Sequence, residues 1–380
     1  MAFDRLLAEV EGHSHFGDTI SEIRRLMIDI FNNRPPNGMQ ILDTENAYFN
    51  DHGQGHTSRI IKKISDLNRI MPSEFTELES FLLISSAWLH DIGMYIGRRK
   101  GETIFQVRER HAKISADIVY ELSSTYYPSL TNPELVLLQQ IIIAHSSNYD
   151  INTVSTEPDS IEGDIARKAL LCAVFRIADA CDCTHSRAPE SVFYIYYDFI
   201  PESSKEHWEK LFSVTDVSFD AIRSAIIISY DFGNNTRDLI EKYILSNILK
   251  SEIERELSSV HNIFLNNSVP ITRVLIKYFG RNEYLDFTSF NKEQYCLITL
   301  RSNFRLFNDL MGVLTNYLED EGELSVILEI RPPEGPLYIN TEKYIAFDRT
   351  EEMKDKLRSS LGEFLLDIDI IKPVRQVIEI

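Results

Sequence analysis

The apolar segment FLLISSAWL runs directly into His90-Asp91, and this junction constrains the chain more than any other feature of it. A carboxylate is almost never fully buried without a partner, so an apolar helix that ends on two metal-type ligands calls for a cation. Adjacent helical positions point about 100° apart. The pair can therefore approach one bound ion from two sides.

Other candidate ligands share that placement. His56 in NDHGQGHTSRI, His111 in RERHAKISADIV, His145 in IIIAHSSNYD and Asp179 in FRIADACDCTHSR each fall at an end or on a face of an expected helix. Imidazole with carboxylate suits divalent Mn, Fe, Co, Ni or Zn, and Mg, which prefers oxygen alone, is admitted behind them. Six such ligands can hold two divalent ions.

Apolar residues recur at helical spacing from Thr19 to about Phe31, then over His56–Arg69, Glu74–Leu89, Arg108–Leu122, Pro133–Ala144 and Asp164–Asp182, with turn formers between. After Pro189 the segments VFYIYYDFI and SFDAIRSAIIISYDF, rich in β-branched and aromatic residues, predict strands of a small accessory sheet. The first is expected to be sheet core rather than a base-stacking surface. Leu239 to Asn266 reads as one long helix packing on the helical half. The last part alternates as QYCLITL, a helix over Asn303–Glu319, ELSVILEI, TEKYIAF, a helix over Thr350–Leu366, and VRQVIEI. That is a β-α-β-β-α-β, ferredoxin-like order. The expected fold class is thus a mainly α bundle with a small accessory sheet, followed by a smaller C-terminal α+β domain. The expected bounds are 1–44 for an N-terminal helical segment, 45–190 for the metal-binding helices, 191–267 for accessory strands and long helix, and 268–380 for the α+β domain.

Charge narrows the partners. The 39 Lys and Arg against 58 Asp and Glu give a net −19, a field that repels phosphate backbones and disfavours a nucleic-acid polymer. Against this background Arg98, Arg99, Lys100, Arg108, Arg110 and Lys113 form a local reversal between the doublet and His111, opposed only by Glu102 and Glu109. Such a cluster is either solvated loop charge or a phosphate trap. Taken as a trap, it puts Arg98, Arg108, Arg110 and Lys113 on the substrate, with His52 and His185 lining the pocket. Four cysteines without a disulfide framework predict a reducing compartment, the cytoplasm, and Cys181 and Cys183 read as small buried side chains. No apolar run approaches the roughly 20 residues that cross a bilayer, so no membrane partner is expected.

The order His56, His90-Asp91, His111, His145, Asp179 resembles the HD-domain metal-dependent phosphohydrolase superfamily. RHAKISADIV and AHSSNYD look like the added histidines of its two-metal members, and RIADACDCTHSRAP resembles the aspartate helix that closes the site. The resemblance covers about residues 45–190. It departs from the cyclic di-GMP phosphodiesterases in lacking a GYP-type triplet after His145, and no lysine follows Asp91-Ile92-Gly93. It implies an HD helical bundle in which His56, His90, Asp91 and Asp179 bind one ion while Asp91 bridges to a second ion on His111 and His145. Asp182 would orient a ligand histidine from behind. The expected catalytic groups are Asp91 with, from the residues themselves rather than the resemblance, Lys113 of the basic cluster and Arg187 after the aspartate helix.

The expected function is a metal-dependent phosphohydrolase or phosphodiesterase that uses metal-activated water on a nucleotide, dinucleotide or cyclic oligonucleotide. The rivals are a di-iron HD oxygenase acting on a small diol or phosphonate, a nucleotide sensor without turnover, and a single-strand nuclease. The C-terminal domain is the expected seat of a homodimer contact or a protein partner.

Overall fold

The structure is a computed structural model of the 380-residue chain. It describes residues 16–32, 51–96, 104–161, 163–200, 202–231, 239–279, 295–301, 307–319, 323–331 and 337–371, with the single residues 10, 12, 34 and 321.

The first half is helical, as the periodicity predicts: α1 (Phe16–Phe31), α2 (Gln54–Ile70), α3 (Glu77–Leu89), the single turn α4 (Ile92–Tyr95), α5 (Ile104–Tyr126) and α6 (Asn132–Ala144). Helix α3 is buried over Leu78–Leu89, so it is the axis of the bundle, and α1, α2 and α6 pack around it. Its start is fixed by a capping box. Thr76 Oγ accepts from the Glu79 N–H, and the Glu79 carboxylate accepts from the Thr76 N–H, both at 3.1 Å. Thr131 and Glu134 begin α6 with the same device.

Next comes a small hairpin, β1 (Asp159–Ile161) with β2 (Asp164–Ala166), turned at Gly163, whose φ of +97° only glycine adopts readily. Helix α7 (Lys168–Ala180) therefore starts four residues later than the expected Asp164. Arg167, just before it, donates through Nε and Nη2 to the buried Glu79, at 2.8 and 2.6 Å. That pair ties the start of α7 to the start of α3.

The segment VFYIYYDFI is not a strand. It forms α8 (Glu190–Tyr196), where Phe193 is buried against Trp208 and Phe212 while Tyr194 and Ile195 are exposed. Aromatic and β-branched residues favour strands only weakly, and here one buried anchor decides the conformation. Helix α9 (Glu202–Glu209) and strands β3 (Val214–Asp220) and β4 (Ala225–Asp231) follow. Then come the long helix α10 (Leu239–Asn266) and β5 (Arg273–Phe279), and the sheet order is β3-β4-β5.

The chain divides into two compact units, Met1–Ile228 with Ser251–Leu275, and Ser229–Lys250 with Ile276–Ile380. In the second unit lie β6 (Tyr295–Arg301), α11 (Phe307–Leu314), β7 (Leu324–Arg331), β8 (Leu337–Ile345), α12 (Thr350–Leu361) and β9 (Leu365–Ile371). The β-α-β-β-α-β succession is present, but the sheet order is β8-β7-β6-β9. A split arrangement would insert a strand between the first two of the motif. Here β6 and β7 are direct parallel neighbours, with β9 antiparallel on the other side of β6. The ferredoxin-like expectation is corrected accordingly. The α12 helix also stops at Leu361, short of the expected Leu366, and LLDIDII supplies the closing strand. The expected strand VRQVIEI lies outside the described residues. On β6, Cys296, Ile298 and Leu300 alternate into the core.

Among the described residues no helix is long and apolar enough to cross a membrane. Cys172, Cys181, Cys183 and Cys296 are all buried and form no disulfide among the described residues.

Candidate metal centre

Three helices of the first unit present their carbonyl ends to one place. His90 caps the C-terminus of α3, His145 caps that of α6, and Asp179 lies in the last turn of α7. Helix C-termini carry partial negative charge and favour cations. His56 enters from the first turn of α2, His111 from the second turn of α5, and Asp91 begins α4.

The ring orientations are set by what each Nδ1 meets. His90 Nδ1 faces the Ala87 carbonyl at 3.1 Å, His111 Nδ1 that of Arg108 at 2.5 Å, and His145 Nδ1 that of Ile142. Each is an i to i−3 contact along the residue's own helix. His56 Nδ1 instead meets Asp182 Oδ2 at 2.6 Å. Carbonyl and carboxylate oxygens can only accept, so all four Nδ1 atoms donate, and in a ring that carries a single proton Nε2 is left as a lone pair.

Those lone pairs converge. His56 Nε2 lies 3.2 Å from His90 Nε2, and His111 Nε2 lies 2.8 Å from His145 Nε2. Neutral rings placed so repel unless a cation sits between them. Around an ion with metal–nitrogen bonds of about 2.0–2.1 Å, neighbouring ligand atoms are about 2.8–3.4 Å apart. The observed spacings fit that shell. His56, His90 and Asp179 form one group that could hold an ion, and Asp91, His111 and His145 form another. Asp91 joins them, with Oδ2 at 3.1 Å from His90 Nε2 and 3.6 Å from His56 Nε2, and Oδ1 at 3.3 Å from His111 Nε2. Each carboxylate oxygen thus serves a different group.

Electrostatics agree with ionised carboxylates. Burial by itself would raise the Asp91 pKa, but His90, His52 and His111 hold it well below the usual range. Asp179 is likewise lowered against burial, by His56, His90 and Arg187. His145 is pushed down to about 3 by burial and then by His111 and His90, so its ring is a neutral donor of electrons. His56 goes the other way. Burial and Arg187 oppose a charge there, but Asp179 and Asp182 together raise its pKa.

Behind the ligands, Asp182 is 0% exposed and anchors a chain of contacts. Its Oδ1 accepts from Arg59 Nε at 2.7 Å, and Arg59 Nη2 donates to Asp51 Oδ2 at 3.0 Å. Arg187 Nη1 donates to the Asp182 carbonyl at 2.9 Å. Replacement of Asp182 by asparagine keeps the shape but removes the charge that fixes the His56 tautomer. Loss of such a partner weakens metal binding by about 10- to 100-fold. Titration of metal into the D182N protein, read calorimetrically, should show that drop with the fold intact, and unchanged affinity would refute the role.

A second support is Arg176, one turn before Asp179 and 2% exposed. Its Nε donates to the Ala144 carbonyl at 2.8 Å, and Nη2 donates to the Ser146 and Tyr149 carbonyls at 2.6 and 2.7 Å. It therefore holds the chain on both sides of His145. Arg176→Met leaves three carbonyls without this donor and should cost about 3 kcal/mol or more, read as a lowered midpoint in urea unfolding.

The structure places the remaining sequence candidates unequally. His52 lies beside the ligands, with its ring centroid 5.7 Å from that of His56, and Asp91, Arg187 and Arg108 all act on its charge. Arg108 in turn feels Arg187 and Asp91. His185 is exposed and binds the Val214 carbonyl at the head of β3 through its backbone N–H and its ring Nδ1. Lys113 is exposed, about 200° around α5 from His111. Arg110 is half-buried on α5. Arg98 lies outside the described residues. Arg59 and Arg176 went unread in the sequence, although each shows a signal: a cation three residues from a metal-ligand position, on a helix face expected to be buried.

A family model described as HD-CE matches residues 47–259. No curated protein and no solved structure matches the chain.

Proposed function

We propose that this chain, which belongs to the HD-CE family, is a two-metal hydrolase of a phosphate ester or anhydride in a nucleotide, dinucleotide or cyclic oligonucleotide. The observation that carries the reading is the convergence of four Nε2 lone pairs on two carboxylates, with Asp91 offering one oxygen to each group. Two divalent ions, when bound, supply Lewis acidity to a phosphoryl oxygen and lower the pKa of water. His56, His90 and Asp179 would hold one, His111 and His145 the other, and Asp91 would offer an oxygen to each.

The surrounding side chains then bind and orient. Arg187 keeps a buried Nε that donates to no protein group among the described residues, and a phosphoryl oxygen is the natural acceptor for a guanidinium fork. Arg108 sits within Coulomb reach of Asp91 and Arg187 and adds a second positive charge. His52 is held neutral beside His56, by burial first and, against Asp91, by Arg187, His56 and Arg108. Four buried thiols suit a reducing compartment, which supports the cytoplasm as the place of action.

The test combines metal analysis of the purified protein with Mn- and Co-dependent turnover of mononucleotides, dinucleoside polyphosphates, cyclic dinucleotides and short oligonucleotides. A His90→Ala, Asp91→Ala double variant runs beside it. Phosphate or nucleotide release by the wild type alone is the expected result. Tightly bound iron with oxygen consumption and no hydrolysis would move the reading to an oxygenase, and nucleotide binding without turnover to a sensor.

A further inference from the structure

Arg187 is held at both ends by residues that a second arginine ties together. Its carbonyl accepts from the Asp51 N–H at 2.9 Å, its own N–H donates to the Thr184 carbonyl at 2.9 Å, and its Nη1 donates to the Asp182 carbonyl at 2.9 Å. Arg59 spans two of these anchors, with Nε donating to Asp182 Oδ1 at 2.7 Å and Nη2 to Asp51 Oδ2 at 3.0 Å. The contacts close a circuit through Asp51, Arg59, Asp182 and Arg187, which joins α2 to the segment before it and the segment after α7. Asp51 is fixed in turn by the Gly53 N–H, which donates to its Oδ1 at 2.8 Å. Gly55 leaves the carboxylate its room, since a Cβ there would stand 2.5 Å from Asp51 Oδ2.

The two arginines are not equivalent. Arg59 lies against two carboxylates that balance its charge, whereas the Arg187 fork meets a carbonyl and keeps its charge for another anion. A guanidinium bonded through Nη1 still presents the edge made by Nε and Nη2, which can take two oxygens of a phosphate side by side. The Nε on that edge is buried and donates to no protein group among the described residues. One residue separates this fork from the first group of ligands, because Asp182 gives its carbonyl to Arg187 and its Oδ2 to His56 Nδ1, the latter at 2.6 Å. Fixing the His56 tautomer needs Asp182 and Arg59 alone. Asp51 makes its backbone bond to Arg187, so its place in the circuit serves the fork.

We propose that Arg187 grips a phosphoryl oxyanion side-on through Nε and Nη2, and that Asp51 and Arg59 are positioning residues that hold this fork in register with the ion at His56. The proposal rests on the hydrolase reading above, which supplies the phosphoryl group.

The test is a double-mutant cycle read by isothermal titration of the full-length, manganese-loaded protein with inorganic phosphate. Arg187→Ala should weaken phosphate binding about tenfold or more, the scale of a hydrogen bond to a charged group. Arg187→Lys keeps the charge without the fork and should recover little of that loss. Asp51→Asn retains an oxygen for the Gly53 N–H but turns an amide toward Arg59, and should weaken phosphate about fivefold. In the Arg187→Ala background the same change should cost nothing further, and manganese stoichiometry should match the wild type in every variant. Full phosphate affinity in Arg187→Ala would overturn the grip. Additive losses, no loss in Asp51→Asn, or manganese lost from Asp51→Asn would overturn the positioning role and leave the hydrolase reading in place. A wild type that takes up no manganese, or binds no phosphate when loaded, would overturn both.

Discussion

Asp91→Ala is expected to empty both ion positions at once and to lower turnover at least about 10³-fold. The magnitude follows from the several kcal/mol of charge stabilisation that metal ions supply, at about 1.4 kcal/mol per decade. The double loss follows from geometry, because Oδ2 serves His90 and His56 while Oδ1 serves His111. Asp91→Asn makes the finer test. An amide offers one neutral oxygen and turns an NH₂ toward the other group, so one ion should be lost and the other weakened. Metal content after gel filtration, with turnover measured alongside, checks both variants. Two ions retained at near-normal turnover would refute the bridging role.

Gly93→Val is expected to remove the second ion selectively. A Cβ at Gly93 would stand 2.8 Å from the His111 carbonyl oxygen, 2.9 Å from Ser115 N and 3.0 Å from Ile114 Cβ. Two of these are backbone atoms of α5, so the helix itself has to move. The Gly93 N–H now donates to Ser115 Oγ at 3.0 Å, and that bond marks the closeness of α4 to α5. Pushing α5 outward carries His111 away from Asp91 and His145, whereas His56, His90 and Asp179 sit on other helices. The overpacking should cost about 1–3 kcal/mol of stability. A displacement near 1 Å at one ligand should cost on the order of 10²-fold in turnover. The metal stoichiometry should fall from two toward one. Full occupancy with normal turnover would show that α5 accommodates the side chain.

Much of this centre was legible in the sequence because its ligands are local events. His90 and His145 end apolar helices, and a histidine at a helix C-terminus can turn its Nδ1 back to the carbonyl three residues earlier. His111 does the same inside α5. Periodicity predicts those helices, and the structure adds the ring edge that each histidine presents. The basic residues divide differently. Arg108 and Lys113 stand in the same cluster, yet Arg108 lies one turn from His111 and shares its face, while Lys113 lies two residues on and faces solvent. Charge alone could not separate them.

Long-range partners left weaker traces. Glycine at 93 reads as an ordinary turn residue until α5 is seen to press against it. The buried Arg176 looks like an interruption of ALLCAVFRIADA, and its meaning lies in three carbonyls more than 25 residues upstream in sequence. The segment after Pro189 failed as a strand because Phe193 found Trp208 and Phe212, a contact that no local propensity contains. In the second unit the element succession was readable, but which strands neighbour each other depends on how the crossover between β6 and β7 is laid over the sheet.

By itself, then, the sequence determined the helices that carry the ligands and the residue types of the ligand set, since hydrophobic period acts within one helix. Only the tertiary structure decided that four Nε2 atoms meet, that Asp91 faces both groups, and that Asp182, Arg176 and Gly93 support them. Those contacts join residues far apart in the chain, and their distances come from packing rather than from any local rule.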